Sequence, residues 1–347
     1  MNNILKEDFT RIVSEYDFSA LKGKSIFITG ATGLIGSELL LFLHYLNQHY
    51  GYKMELYALV RDKEKVVKVF GNELTDNSIC FVYGDVLSLP QIDARIDYII
   101  HGASITASKQ FIEKAVETID IAVNGTLNLL RFAKEKKVTS FVYLSSMEAF
   151  GVTDGEGVVR EEDLGYIDIS NPRSSYMESK RMCENLCVCF AHEYGLNTKC
   201  IRLAQTLGAG IDYNDTRVAA YFARSVLEDS DIVLKTEGKT KRPILYSSDA
   251  ITAILTVLLK GKFGNIYTAA NPQTFATIRE TAKMVAEKIA EGKIKVDFDI
   301  AVPAEYAPNL NLNLNLNVDK LCSLGWKPVV GLEDSYRRMI AGMGRGY

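Results

Sequence analysis

The stretch Ser25-Ile26-Phe27-Ile28-Thr29-Gly30-Ala31-Thr32-Gly33-Leu34-Ile35-Gly36 decides the reading of this chain. A short apolar run with the look of a β-strand breaks into a turn with glycines at 30, 33 and 36, and an amphipathic helical pattern follows. Each glycine has a physical task. The first allows a tight turn, the second lets backbone approach an anion closely, and the third seats the helix against the strand. Free amides at the helix N-terminus then face the charge. Gly30, Thr32, Gly33, Leu34, Ile35 and Gly36 are therefore expected to cradle the pyrophosphate of a dinucleotide.

Outward from that turn, apolar runs alternate with helical stretches: MELYALV, ICFVYGD, YIIHGA, a long helix through VNGTLNLLRFAKEKK, then SFVYLSS. Strand and helix in this rhythm imply right-handed crossovers and a parallel sheet covered on both faces. The expected fold is α/β: a Rossmann doubly wound parallel sheet over residues 23–205, preceded by a helical extension (1–22) and followed by a smaller α/β lobe (206–347) for substrate choice. That lobe is expected to include helices near TRVAAYFARSVLED, SSDAITAILTVLL and TIRETAKMVAEKIAEG and short strands DIVLKT and NIYTAAN, with a return of the chain to the sheet left open. The run from Asn309 to Val318 alternates apolar and polar residues, which predicts a half-buried strand or extended segment.

With 347 residues and a formal net charge of -3, the chain has neither a basic field for nucleic acid nor a cationic patch for a membrane surface. The N-terminal segment mixes charges into its helical pattern, unlike a signal peptide, and no stretch is apolar enough to span a bilayer. The expectation is a cytoplasmic protein acting on a small molecule. Cys80, Cys183, Cys187, Cys189, Cys200 and Cys322 lack the paired spacing of a disulfide framework or a zinc site, so no metal is expected, and Cys183 and Cys187 are expected to be buried on a packed helix. His44, His49 and His101 read as packing residues or polar termini.

After the second strand come Arg61 and Asp62. A carboxylate at this tip suits the ribose 2'-hydroxyl of NAD, whereas an arginine suits the extra phosphate of NADP or simply points to solvent. Asp85, with Val86 beside it, is placed to meet the adenine edge, and Gly102 and Ala103 line the turn after the fourth strand.

Tyr176 and Lys180 stand four apart in a helical segment and so share a face. A phenol with a pKa near 10 is a poor base at neutral pH, and a nearby ammonium favours its phenolate. Ser145 and Ser146 end the SFVYLSS strand on the same rim as the phosphates, where a hydroxyl can bond the oxygen whose proton Tyr176 takes. Ser146, Tyr176 and Lys180 are the expected centre.

At these residues the chain resembles the NAD-dependent epimerase/dehydratase group of extended short-chain dehydrogenases, from about Leu21 onward: TGxxGxxG at Thr29 to Gly36, YxxxK at Tyr176 to Lys180, and Ser146 four before Phe150-Gly151. The resemblance implies nucleotide-sugar chemistry with NAD or NADP, Tyr176 and Lys180 on the cofactor, and a homodimer built on the helices around Val123 to Lys136 and Ser179 to Tyr194. Asn171 to Tyr176 and Glu184 to Cys187 look like UDP-glucuronate decarboxylases, and Leu324 to Pro328 like the family's C-terminal signature. By the same likeness Glu148 is an active-site carboxylate, and Ser146, Gln205, Arg217 and Arg242 contact the nucleotide sugar. The sugar 4,6-dehydratases pair that glutamate with a preceding aspartate; here Met147 stands there, which disfavours dehydration. Other departures are Ala122 and Gln205 for family asparagines, Arg61 for an acid, and no paired arginines in the Asn-Leu run. The reaction so implied is UDP-glucuronate decarboxylase-like or epimerase chemistry through a transient 4-keto sugar; the alternatives are an NADPH-dependent reductase of a nucleotide-linked keto sugar and a non-catalytic NADP-binding member of the family.

Overall fold

The structure, a computed structural model, describes residues 2–71, 78–153, 157–300 and 313–343. Helix α1 (Asn3–Glu15) buries Leu5, Phe9 and Ile12. Then follow β1 (Ser25–Thr29), α2 (Leu34–Tyr50), β2 (Glu55–Val60), α3 (Lys63–Phe70), β3 (Ile79–Tyr83), β4 (Tyr98–His101), α4 (Gln110–Glu113), α5 (Ala115–Glu135), β5 (Ser140–Ser146), α6 (Ser174–Tyr194) and β6 (Thr198–Leu203). The sheet has seven strands in the order β10-β6-β5-β4-β1-β2-β3, all parallel, with β10 (Asn265–Ala269) supplied from far downstream. Every residue of β1 is buried, as a strand covered on both faces requires. One face packs on α1, α2 and α8 (Ser247–Lys260), the other on α5 and α6.

Strand order reverses between β1 and β4, whose tips are level because Thr29 pairs with His101. A crevice opens beyond carboxyl ends at such a switch point, and ligands bind there in doubly wound sheets.

Past β6 the chain builds a second body from β7 (Gln205–Leu207), α7 (Val218–Leu227), β8 (Ile232–Leu234) and β9 (Lys241–Tyr246). It leaves through α8 and β10 to complete the large sheet, so NIYTAAN forms the sheet's edge strand rather than a strand of the lobe. The second body resumes with β11 (Asn271–Thr277), α9 (Ile278–Met284), a π-helical turn over 285–289 and β12 (Val296–Phe298); α10 (Asp319–Cys322) then packs on β10 in the core of the large sheet, and α11 (Leu332–Met343) returns to the second body. Its strands form two small sheets, β11-β9-β7 and β12-β8, around a core that includes Leu207, Phe222, Ile244 and Met339. In the alternating asparagine-leucine run, Leu314, Leu316 and Val318 are buried, and Leu316 makes one bridge to Val159; residues 309–312 lie outside the described residues.

The two bodies meet at Glu38 of α2, whose Oε1 accepts the Gly210 amide at 2.9 Å. Burial pushes this carboxyl up to about 7; hydrogen bonds to it only partly oppose the lost hydration, and the nearby Asp8 charge adds to the rise. A Cβ on Gly208 would lie 2.6 Å from the same oxygen, so only glycine fits.

Candidate active site

A single groove of about 1500 Å³ runs over the carboxyl ends of the strands, and every site residue named from the sequence lines it. That exceeds the roughly 300–1,000 Å³ of ordinary small-ligand pockets. Two ligands placed end to end could share it.

At the crevice, Gly30 has φ +73°, and a Cβ there would meet the Gly102 carbonyl carbon at 2.6 Å. A Cβ on Gly36 would lie 2.2 Å from the Gly30 oxygen. The turn therefore closes only with glycine at both places. No side chain caps α2, which leaves the amides of its first turn for an anion.

Beneath this cradle is a buried polar chain that sequence reading missed. Thr29 Oγ1 lies 2.7 Å from His101 Nδ1, His101 Nε2 lies 3.0 Å from Thr126 Oγ1, and the Thr29 oxygen also accepts the Ala103 amide at 3.2 Å. Burial, with Lys180 nearby, pushes His101 down to about 3, so the ring is neutral and bridges two hydroxyls. Its role is to fix the Gly102-Ala103 turn. Only the late position of His101 in an apolar strand hinted at it.

At the β2 tip, the Asp62 carboxylate accepts the amides of Glu64 and Lys65 at 2.9 and 3.1 Å and so caps α3. Arg61 is exposed and lies 3.5 Å from Asp85, whose other oxygen accepts the Leu87 amide. One oxygen of the acid that could take a ribose hydroxyl is thus engaged, while the arginine is held only by a loose surface pair.

On the opposite wall, β5 delivers Ser146, the turn after it delivers Glu148, and α6 delivers Tyr176 and Lys180. Tyr176 is buried and stacks on Phe111 of α4, with ring centroids 4.2 Å apart and planes at 11°. Lys180 Nζ donates to the Leu144 carbonyl at 2.8 Å and sits 5.5 Å from the Tyr176 ring centre. Burial pushes this ammonium down to about 8. The phenol departs from expectation. Burial first and the Glu148 charge second hold Tyr176 above the usual phenol value, and Ser146, Arg173 and Arg217 only partly oppose them. An ammonium spent on a backbone carbonyl does not dominate a phenol that has lost its water.

Glu148 is gripped by Arg173, Nη2 to Oε2 at 2.6 Å. Behind the wall, Glu184 takes Arg202 on both oxygens (2.9 and 2.7 Å) and the Ser145 hydroxyl at 2.5 Å. Ser145 is therefore structural, and Ser146 faces the groove.

The second body contributes Gln205 at the start of β7, Arg217 before α7 and Arg242 on β9. Arg217 is engaged by Asp215 through both carboxylate oxygens at 2.7–3.0 Å. The Arg242 side chain, by contrast, makes no hydrogen bond or ion pair among the described residues, although the Glu148 charge is close enough to act on it. Cys183 and Cys187 are buried on α6 as expected.

Residues 26–270 match the model of the NAD dependent epimerase/dehydratase family. The chain belongs to that family. Among relatives of this chain, UDP-glucuronic acid decarboxylase 1 of Xenopus tropicalis is 26% identical over 338 residues, covering 97% of this chain and 76% of that one. The dTDP-D-glucose 4,6-dehydratase of Mus musculus is 23% identical over 326 residues, covering 91% and 88%. An epimerase from Methanothermobacter thermautotrophicus shares the family fold at a TM-score of 0.77, with 20% identity, 96% of this chain and 95% of that one covered. Among the described residues no helix is long and apolar enough to cross a membrane.

Proposed function

We propose that this chain uses a nicotinamide dinucleotide to modify a nucleotide-linked sugar through a transient 4-keto sugar, as UDP-glucuronate decarboxylases do. The observation that carries the reading is the convergence of Ser146, Glu148 and Tyr176 with the unpaired Arg242 on one groove that is continuous with the glycine cradle. The residues fit the dinucleotide: Gly30 and Gly36 let the turn close against backbone and leave the uncapped amides of α2 facing the groove for a pyrophosphate, with Arg61, Asp85 and Val86 toward the adenosine end and Gly102, Ala103, Tyr176 and Lys180 toward the other.

When bound, the dinucleotide accepts and returns a hydride and, oxidised, adds a positive charge beside the phenol. Tyr176 takes the proton of the sugar C4 hydroxyl as the hydride leaves that carbon, and Ser146 holds the oxygen. In a uronic acid the new ketone is β to the carboxylate, which leaves as CO2, and the enolate carbon left at C5 takes a proton from water in the groove or from Arg242. The ketone then takes back the hydride and Tyr176 returns the proton, so no net oxidation occurs. Arg242 meets the diphosphate or the carboxylate with its fork. A homodimer through α5 and α6 belongs to the same proposal, supported by the exposed Val116, Ile119 and Met182 on those helices.

The test is to incubate the purified protein with UDP-glucuronate and no added cofactor, and to read products by mass spectrometry. A UDP-pentose and CO2 are expected. Failure to convert UDP-glucuronate, UDP-glucose or dTDP-glucose under any cofactor condition sinks the reading. A second reading, a reductase that consumes NADPH, is favoured by Arg61, which stands exposed at the β2 tip in only a loose surface pair while one oxygen of Asp62 caps α3. Its mark is turnover only with NADPH, together with tighter binding of NADP than of NAD.

A further inference from the structure

Arg173 precedes α6 and does not line the groove, yet it touches two groups that do. Its Nη2 holds Glu148 Oε2 at 2.6 Å, in a pair whose side chains are 7% and 17% exposed. Its Cζ lies 4.6 Å from the Phe111 ring centre, and Phe111 is stacked on Tyr176 at 4.2 Å. Guanidinium, phenyl and phenol therefore interlock, with the carboxylate fixed at one end. Arg173 Nη1 is buried and has no hydrogen-bond partner among the described residues, so Glu148 is the one acid that offsets this charge within hydrogen-bonding range. A buried guanidinium left under-satisfied costs free energy, which a purely structural residue would not explain.

We propose that Arg173 is a positioning residue of this centre: it orients Glu148 toward the groove, fixes the Tyr176 ring through Phe111, and offsets the negative charge that Glu148 places beside that phenol. The proposal rests on the functional reading above. Tyr176 must pass through its phenolate, and an uncompensated carboxylate next to it opposes that step. Arg173 makes the two compatible. Lysine could supply the charge but neither the planar stack nor the fork, so it restores the function only in part.

The experiment compares wild type, Arg173→Gln, Arg173→Lys and Phe111→Leu, each saturated with NAD and assayed on UDP-glucuronate across pH. Arg173→Gln is expected to lose about 100-fold in kcat, the scale of a misplaced reacting group, with KM little changed. Its acid-side limb should move to higher pH by about one unit, as loss of a nearby opposite charge dictates. Arg173→Lys should regain much of the rate and most of the pH position, and Phe111→Leu should lose rate without the pH shift. An Arg173→Gln enzyme with near-normal kcat and an unmoved profile overturns the proposal. If that variant does not fold, arginine-labelled 15N NMR of the wild-type chain decides. Resolved, slowly rotating Nη signals that are absent in Arg173→Lys and collapse in Glu148→Gln support the clamp; signals indifferent to Glu148→Gln overturn it. This readout needs no turnover, so a chain inert on all three nucleotide sugars would remove the functional reading while the clamp is still judged.

Discussion

The two walls of the groove are made of different material. The wall under β1 and β4 is backbone: glycines with no room for a Cβ, uncapped amides at the start of α2, and a neutral histidine pinned between two threonines. The facing wall is side-chain charge, with Glu148, Arg217 and Arg242 brought from three separate parts of the chain and Arg173 gripping Glu148 from outside the groove. Backbone geometry serves a ligand part that is always the same, a pyrophosphate. Charged side chains can be exchanged one at a time, and their pairing decides which ligand is met. Arg217 and Arg242 show the difference, since Asp215 already satisfies the first and nothing described satisfies the second.

Three measurements press on this contrast. Tyr176→Phe should have the largest effect, a loss of about 10³-fold in turnover, within the usual range for a general acid–base group. Dinucleotide affinity, measured by fluorescence titration, should stay near wild type. Equal losses of affinity and turnover would mean that the two walls do not divide the work.

Next is Glu38, which belongs to the first wall's helix but holds Gly210 of the second body. Its folded pKa of about 7 lies above the ordinary carboxyl value of 4.5, so the native state keeps a proton that the unfolded chain releases. Its contribution to stability is whole below about pH 4.5 and is lost as pH rises through about 7. Glu38→Gln should therefore be more stable than wild type at pH 8, by up to about 3 kcal/mol, and show a flatter pH dependence in urea melts. An unchanged pH profile would mean that Glu38 is ionised in the native state.

Arg242→Gln should have the smallest effect of the three, a rise in KM for UDP-glucuronate of about 10- to 30-fold, the low end of what one charged hydrogen-bonding partner contributes at roughly 1.5–3 kcal/mol. Arg217→Gln should matter less. If the two arginines rank the other way, Asp215 releases its partner when substrate binds.

The backbone wall was legible in the sequence because its parts are contiguous: twelve residues from Ser25 to Gly36 contain strand, turn and helix start. Tyr176 and Lys180 were legible for the same reason, lying one helical turn apart. What one residue does to another across the fold was not. Nothing in the order of residues shows that Lys180 is spent on the Leu144 carbonyl, that Asp62 turns back to cap α3, or that Arg173 reaches Glu148 over a separation of 25 positions. Those outcomes depend on burial and on side-chain direction. The NIYTAAN strand was misplaced on similar grounds, because local pattern identifies a strand but not the sheet it joins.

That strand has a consequence for how the molecule is made. β10 pairs with β6 at the margin of the large sheet, and it is synthesised after β7, β8 and β9. Until it leaves the ribosome, β6 presents an open row of amides and carbonyls of the sort that recruits another chain. The second body therefore cannot be cut away as a cassette at residue 205: a fragment ending there would carry a sticky margin, and precipitation rather than a smaller working domain is the outcome to plan for.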